Sequence, residues 1–425
     1  MSDDWKDSLR KLKARFFGVH SQNQASQSSQ VNSAGSSNEG QEAIQEDRSS
    51  SLTPIEINLG IDFGTSYTKV CFRDTGAEHS GVVRFPKNSS NLAIISSSVW
   101  VSRDGQLLMD YDRTETDDCI EIKYLKMRLA GDHIESDEPL IEATVRYSDE
   151  GIRALCAWHI ARIISDARNY VRKTEAARLM KRRQVWSANV GVPVAYCDSP
   201  VINDFRKVIG VAWNWATTNK TPRTYEEALH AYRNSEQTAQ PLEEDIHAVP
   251  EISAAVHSFV MSRNSVPGVY IYFDIGGGTV DGVAFEFRNW DGHPYIDFYS
   301  GRVEPLGIEV RKLAFEQPRS EDESNIQLDF QNRLTHLVAW VAIEAKSKDP
   351  KIWQVDARAT PARQGLRHLL RTKEMLPQTV FLGGYGAHDD WYRSAIESVY
   401  EVRKLANSGI PPWIIKLTPA PSDLS

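Results

Sequence analysis

One pattern occurs twice in this chain and constrains its fold more than any other feature. LGIDFGTSYTKVCF (59–72) and YFDIGGGTVDGVAF (272–285) follow one plan. Each has an apolar β-run, an Asp, an apolar residue, a Gly, a cluster of small or hydroxyl-bearing residues, and a second β-run. Each reads as a β-hairpin with a glycine-rich tip. Asp62 and Asp274 hold equivalent places, 212 positions apart. A unit repeated at that distance predicts a duplicated domain whose two tips face each other across a cleft.

The tips have a definite chemistry. Gly64, and the run Gly276, Gly277 and Gly278, carry no Cβ, so the backbone there can turn tightly and approach a ligand closely. Successive N–H groups in such turns make anion-binding concavities. Thr65, Ser66 and Thr279 add hydroxyl donors. Asp62 and Asp274 close their strands beside the tips, and two facing carboxylates next to polyphosphate suit a hydrated Mg2+. No GxxxxGK[ST] string occurs, so this is not a Walker A loop. Alone, GIDFGTS is equally an ordinary glycine turn; DIGGGTVD is more specific, and the ordered pair points to phosphate.

The rest of the folded chain alternates strands with helices. Apolar, β-branched runs lie at 57–62, 68–73, 98–101, 190–195, 269–274, 280–287 and 379–382. Helical periodicity covers 120–129, 151–173, 200–209, 223–233, 251–260, 325–346 and 391–406. This predicts an α/β architecture. The polar stretch 213–245 reads as an insertion with one helix, and 317–324 as a loop.

Residues 21–54 form a Ser- and Gln-rich segment expected to be a disordered linker, because it cannot bury enough apolar surface to offset its ordering entropy. Ahead of it, residues 1–20 contain WKDSLRKLKARFF (5–17). Trp5, Leu9, Leu12 and Phe16 recur at helical spacing among basic residues. That pattern fits a helix that docks on a protein partner, a weaker membrane-surface contact, or a frayed tail. The net charge of −8 argues against a nucleic-acid partner. No run is long and apolar enough for a transmembrane segment and no apolar leader is visible, so the expectation is a cytoplasmic protein. Cys71, Cys119, Cys156 and Cys197 show no metal or redox spacing and are expected to be buried free thiols.

At these residues the chain resembles the actin-like ATPase superfamily, and most of all its DnaK-type heat-shock chaperone branch. GIDFGTSYTKV and YFDIGGGTVDGVAFEF are similar to that branch's two phosphate motifs. VGVPVAYCDSPVINDFRKVIGVA (190–212) and PEISAAV (250–256) resemble the segment joining its lobes, and VFLGGYGAHDDWYRSAI (380–396) its adenosine-binding strand and helix. The resemblance spans about 55–410, in the family's order.

It implies two duplicated ribonuclease-H-like lobes with ATP or ADP and Mg2+ in the cleft between them. Lobe I would span 55–248, and lobe II 249–417 with a smaller subdomain at 288–378; 418–425 would be a tail. Helix 391–406 would return to the first lobe. Asp62 and Asp274 would hold Mg2+ through water. Thr65 and Ser66 would wrap the phosphates, with Gly276, Gly277, Gly278 and Thr279 opposite. Lys123, 61 residues after Asp62, matches the catalytic lysine, with Lys126 a rival. Glu251 would orient the attacking water and Asp281 would accept its proton. Gly383 and Gly384 would lie against adenosine, and Lys346 would flank the adenine.

The departures shape the functional expectation. Only 41 residues follow Gly384, so no peptide-gripping β-sandwich is expected there. The implied function is a slow, Mg2+-dependent ATPase acting as a nucleotide-driven switch read by a partner protein. A filament-forming actin- or MreB-like ATPase and a small-molecule kinase of the sugar-kinase branch are the alternatives.

Overall fold

The structure, a computed structural model, describes residues 52–77, 79–86, 92–114, 118–131, 148–197, 199–237, 245–260, 265–290, 293–316, 323–353 and 378–417. The expected tail helix, most of the linker, the 418–425 tail, most of the 317–324 loop and residues 354–377 lie outside them. In chain order the strands are β1 (Pro54–Phe63), β2 (Tyr67–Asp74), β3 (His79–Val82), β4 (Ile94–Ser96), β5 (Val99–Ser102), β6 (Leu107–Leu108) and β7 (Cys119–Ile122). They continue as β8 (Arg183–Val192), β9 (Ile246–Pro250), β10 (Gly268–Ile275), β11 (Val280–Trp290), β12 (His293–Glu304), β13 (Gln378–Gly383) and β14 (Trp413–Leu417). The main helices are α1 (Leu125–Ala130), α2 (Asp149–Thr174), α3 (Val201–Thr217), α4 (Tyr225–Gln237), α5 (Glu251–Val260), α6 (Ile308–Glu316), α7 (Glu323–Lys348) and α8 (Asp390–Val402). The chain is thus a mixed α/β protein.

Two large sheets carry it. The first runs β3-β2-β1-β8-β9, with β4 also on β2; the second runs β12-β11-β10-β13-β14. In the first, β1 pairs antiparallel with β2 and parallel with β8, which is parallel to β9. In the second, β10 pairs antiparallel with β11 and parallel with β13, which is parallel to β14. The two hairpins close alike. Phe63 faces Thr68 and Ile275 faces Val280, leaving four-residue tips. Gly64 N–H donates to the Tyr67 carbonyl (3.1 Å) and Gly276 N–H to the Thr279 carbonyl (2.9 Å). Asp62 therefore sits opposite Lys69, and Asp274 opposite Asp281.

Each sheet has its own core. Alternation along β2 buries Thr68, Val70, Phe72 and Asp74 and exposes Tyr67, Lys69, Cys71 and Arg73, the period-2 signature of a half-covered strand. Helices α2 and α3 cover the sheet and α4 packs on α2, with Trp158, Phe205 and Tyr232 fully enclosed. Helix α2 starts where the Ser148 hydroxyl accepts from Gly151 N–H (3.2 Å). Helix α4 starts on a reciprocal capping box: Glu227 N–H donates to Thr224 Oγ1 (3.2 Å) while Thr224 N–H donates to Glu227 Oε2 (3.4 Å). In the second sheet β10 is apolar on both faces. Helices α7 and α8 fill one side of it, and α5 packs Ile252, Val256 and Phe259 against Tyr270, Phe285 and Phe381 on the other.

Several sequence expectations change here. Helix α8 does not return to the first sheet; its Tyr392, Ile396 and Val399 are buried in the second core, because its apolar stripe packs on α7 and β14. The start of the expected smaller subdomain is strand at 288–290 and 293–304: β12 pairs with β11 over its whole length, hidden from pattern reading by half-buried polar residues on both faces. The 213–245 stretch is not a surface excursion throughout. Trp213 and Trp215 are buried at the end of α3, Tyr232 of α4 sits in the first core, and Trp158 Nε1 donates to the Pro222 carbonyl (2.8 Å). The run expected as strand 190–195 ends at Val192 but begins at Arg183, whose charged start masked it. Of the four thiols, all free, only Cys156 is fully buried, and Cys71 is exposed on the open face of β2. Among the described residues, no helix is long and apolar enough to cross a membrane.

Candidate functional site

The C-terminal ends of the parallel strands bring one set of residues together. Asp62 is the penultimate residue of β1, Glu251 follows β9, Asp274 is the penultimate residue of β10, and Gly383 ends β13 directly opposite Asp274. Open α/β sheets bind ligands at these ends. Strand β8 lies between β1 and β9, and its Gly191 gives Glu251 room: a Cβ on Gly191 would lie 3.1 Å from the Glu251 Cβ.

The two tips meet. A Cβ built on Gly277 would lie 2.2 Å from Ser66 Oγ, and one on Gly278 would lie 2.3 Å from Thr65 Cγ2. Only glycines allow that approach. Behind Ser66, Ser97 N–H donates to its carbonyl (2.8 Å), and the Thr68, Ser97 and His159 side chains form a buried polar group against β2. Behind the second tip, Gly307, Ile308 and Glu309 at the start of α6 donate N–H bonds to the Gly278, Gly276 and Gly277 carbonyls at 3.0, 3.1 and 2.8 Å. Both tips are thereby held from outside, with Gly64, Thr65 and Ser66 on one side and Gly276, Gly277, Gly278 and Thr279 on the other.

Lys126 is the buried cation of the site. It lies on α1 with 5% of its surface exposed, and its Nζ contacts Glu251 Oε2 at 2.5 Å. Burial pulls the ammonium pKa down, but Glu251, Asp281 and Asp62 together hold it above its ordinary value. Lys123 does not join this group. Its side chain is about half exposed and pairs with Glu121 (3.3 Å). The expected helix over 120–129 is in fact strand β7, a left-handed turn at Tyr124 (φ 56°), and α1. That turn puts Lys126, not Lys123, on the buried side.

The carboxylates are crowded. Burial first, then Glu251 and Asp62, push the Asp274 carboxyl up to about 7. Burial and Glu251 likewise push Asp281 well above the ordinary range, and burial raises Glu251. Asp281 accepts from Thr279 Oγ1 through Oδ2 (3.1 Å), while its buried Oδ1 has no partner. Three raised carboxyls lie around the buried Lys126 ammonium, and the more exposed Lys69 pairs with Asp62 at 3.4 Å. Among the described residues, no three His, Cys, Asp or Glu side chains are arranged as direct metal ligands. The Asp62 and Asp274 carboxylates are hard oxygen donors, the type that suits a hydrated divalent cation.

Gly384 adopts φ +78°, and a Cβ there would lie 2.1 Å from Asp274 Oδ1, so its lack of a side chain preserves both the turn and the carboxylate. Tyr385 follows it with 77% exposure. Lys346 is not brought to the site. Its Nζ donates to the Ser408 carbonyl beside Gly409, near the end of β13 where Gln378 pairs with Trp413. That end is roughly 17 Å from Gly383 at ~3.3 Å per residue. Glu309 was missed by sequence reading: its Oε2 accepts the Ser66 hydroxyl proton at 2.8 Å. No periodicity or motif marks a single Glu in LGIEVRK; only the tip-to-helix hydrogen bonds reveal it. Neither a scan against models of protein families nor a search of curated proteins returned a match for this chain.

Proposed function

We propose that this chain binds Mg2+-ATP between its two large sheets and hydrolyses it slowly, as a nucleotide-driven switch read by a protein partner. The sheets would be the cores of two duplicated ribonuclease-H-like lobes, like those of the nucleotide-binding domain of DnaK-type chaperones. The matching strand orders and the equivalent Asp62 and Asp274 hairpins support that duplication. One observation carries the functional reading. Two glycine tips from different sheets touch beside four acidic side chains and one buried ammonium, Lys126.

The residues divide the work by their chemistry. Amides of Gly277, Gly278 and Thr279 and the hydroxyls of Thr65 and Ser66 donate to phosphate oxygens, with Gly276 closing the turn that presents them. Mg2+ held through Asp62 and Asp274 would neutralise charge on the polyphosphate. Lys126 stabilises charge at the transferred phosphoryl group, in the role first expected of Lys123. Glu251 orients the attacking water, and Asp281, with a free Oδ1 and a raised pKa, accepts its proton. Gly383 and Gly384 leave the adenosine side open to the backbone.

Titration calorimetry tests this reading. Wild type is expected to bind ATP only with Mg2+ present, and Asp274→Asn to lose at least tenfold in affinity. Absence of Mg2+-dependent binding by wild type would sink the reading.

A further inference from the structure

Glu309 stands where two anions would compete for one proton. The Ser66 hydroxyl donates to Glu309 Oε2 at 2.8 Å, across 243 residues of chain and from one sheet's tip to the other sheet's helix. Glu309 is fixed there from behind, because its own N–H donates to the Gly277 carbonyl (2.8 Å). Its Cδ lies 3.4 Å from the Cβ position of Gly277, so the carboxylate rests over the glycine tip itself. Tyr67, next to Ser66, also feels the Glu309 charge. A hydroxyl has one proton to donate. Ser66 can serve Glu309 or a phosphate oxygen, and two anions at that distance repel.

We propose that Glu309 is a positioning residue of the polyphosphate site, acting through Ser66: its carboxylate competes with phosphate for the Ser66 hydroxyl and so holds nucleotide affinity down. This rests on the nucleotide reading above. It gives the switch an adjustable latch, since polyphosphate entry exchanges a bond between the two sheets for a bond to the ligand. Glu309 then joins the sheets in one state and releases them in the other.

The test is a double-mutant cycle read by calorimetry with Mg2+-ADP. Glu309→Gln keeps an acceptor but removes the charge, and is expected to bind roughly threefold tighter than wild type. Glu309→Ala removes both, with a gain of roughly tenfold, the scale of one charge-assisted hydrogen bond. In a Ser66→Ala background the Glu309→Ala gain should shrink at least threefold. The ATPase KM should fall with the binding constant while kcat stays within about twofold, a split a merely structural residue does not produce. Unchanged or weaker binding by both Glu309 variants overturns the proposal, as does an equal gain in both backgrounds. If Glu309→Ala fails to fold, the Gln variant carries the test. If wild type binds no nucleotide, the site reading fails and this proposal with it. Binding without a Glu309 effect removes the latch alone.

Discussion

Asp274 and His159 titrate in overlapping pH windows with opposite consequences for stability. Burial, with Glu251 and Asp62, raises Asp274 to about 7, so the folded state holds a proton that the unfolded chain releases near the ordinary 3.8. The stability this gives is complete below the unfolded value and lost as pH rises through about 7. Burial lowers His159 from 6.5 to about 3, so its contribution is present above 6.5 and lost as pH falls. Each is worth at most about 4–5 kcal/mol at 1.36 kcal/mol per unit, and less for Asp274, which keeps some contact with water. The two slopes oppose each other in wild type, and the raised Asp281 and Glu251 carboxyls add to the Asp274 direction. Chemical denaturation from pH 4.5 to 7.5 without Mg2+ should show Asp274→Asn losing less stability than wild type as pH rises and His159→Gln losing more. Parallel slopes in the two variants would refute the assignment.

Lys126 supplies the second test at this scale. Lys126→Met should lower kcat by at least ~10²-fold, the scale of a lost transition-state charge, while Lys123→Ala stays within about twofold. Because Lys126→Met leaves Glu251 buried and unpaired, it should also cost ~3–5 kcal/mol of stability. Adding Glu251→Gln should recover much of that but none of the turnover. The family resemblance pointed to Lys123, with Lys126 as its rival, whereas the structure sets Lys126 against Glu251 and Lys123 against Glu121. Composition and periodicity cannot show a single left-handed residue such as Tyr124, and that residue decides which lysine turns inward.

At the scale of elements, the hairpins were legible because glycine spacing and β-runs are local signals. Helices α2, α5 and α7 were legible because their periodicity is sustained. Strands β9, β12 and β14 were not. They are short, or half-buried with polar residues on both faces, so pairing rather than pattern defines them. Helix α6 escaped for the same reason, although it clamps the second tip and carries Glu309. The turn after β13 illustrates how an element's geometry reaches the site. Gly384→Ala forces an L-residue to φ +78° and drives a Cβ to 2.1 Å from Asp274 Oδ1. It should cost ~1–3 kcal/mol in melting experiments and at least tenfold in Mg2+-ATP affinity. A loss of stability with unchanged affinity would mean that Gly384 shapes the turn alone.

At the scale of the whole molecule, the account joins two sheets of matching strand order through contacts at their tips and strand ends. Helix α5 leaves β9 of the first sheet and packs on the second, with Glu251 at its start facing Lys126. Ser66 and Glu309 bridge a second time. At the tips the sheets meet through charged and hydroxyl groups, which on the proposed reading a polyphosphate would rearrange, while α5 and Val194 join the halves through apolar packing on the second sheet. The repeat at Asp62 and Asp274 made this duality readable in the sequence; the bridges between the halves were not, because their partners lie over a hundred residues apart. Hydrogen exchange read by mass spectrometry, with and without Mg2+-ATP, tests the central claim most directly. The account predicts simultaneous protection of 64–67, 276–279 and 383–385, on both sheets, lost in Asp274→Asn. Protection of one tip alone, or of neither at saturating nucleotide, would contradict it.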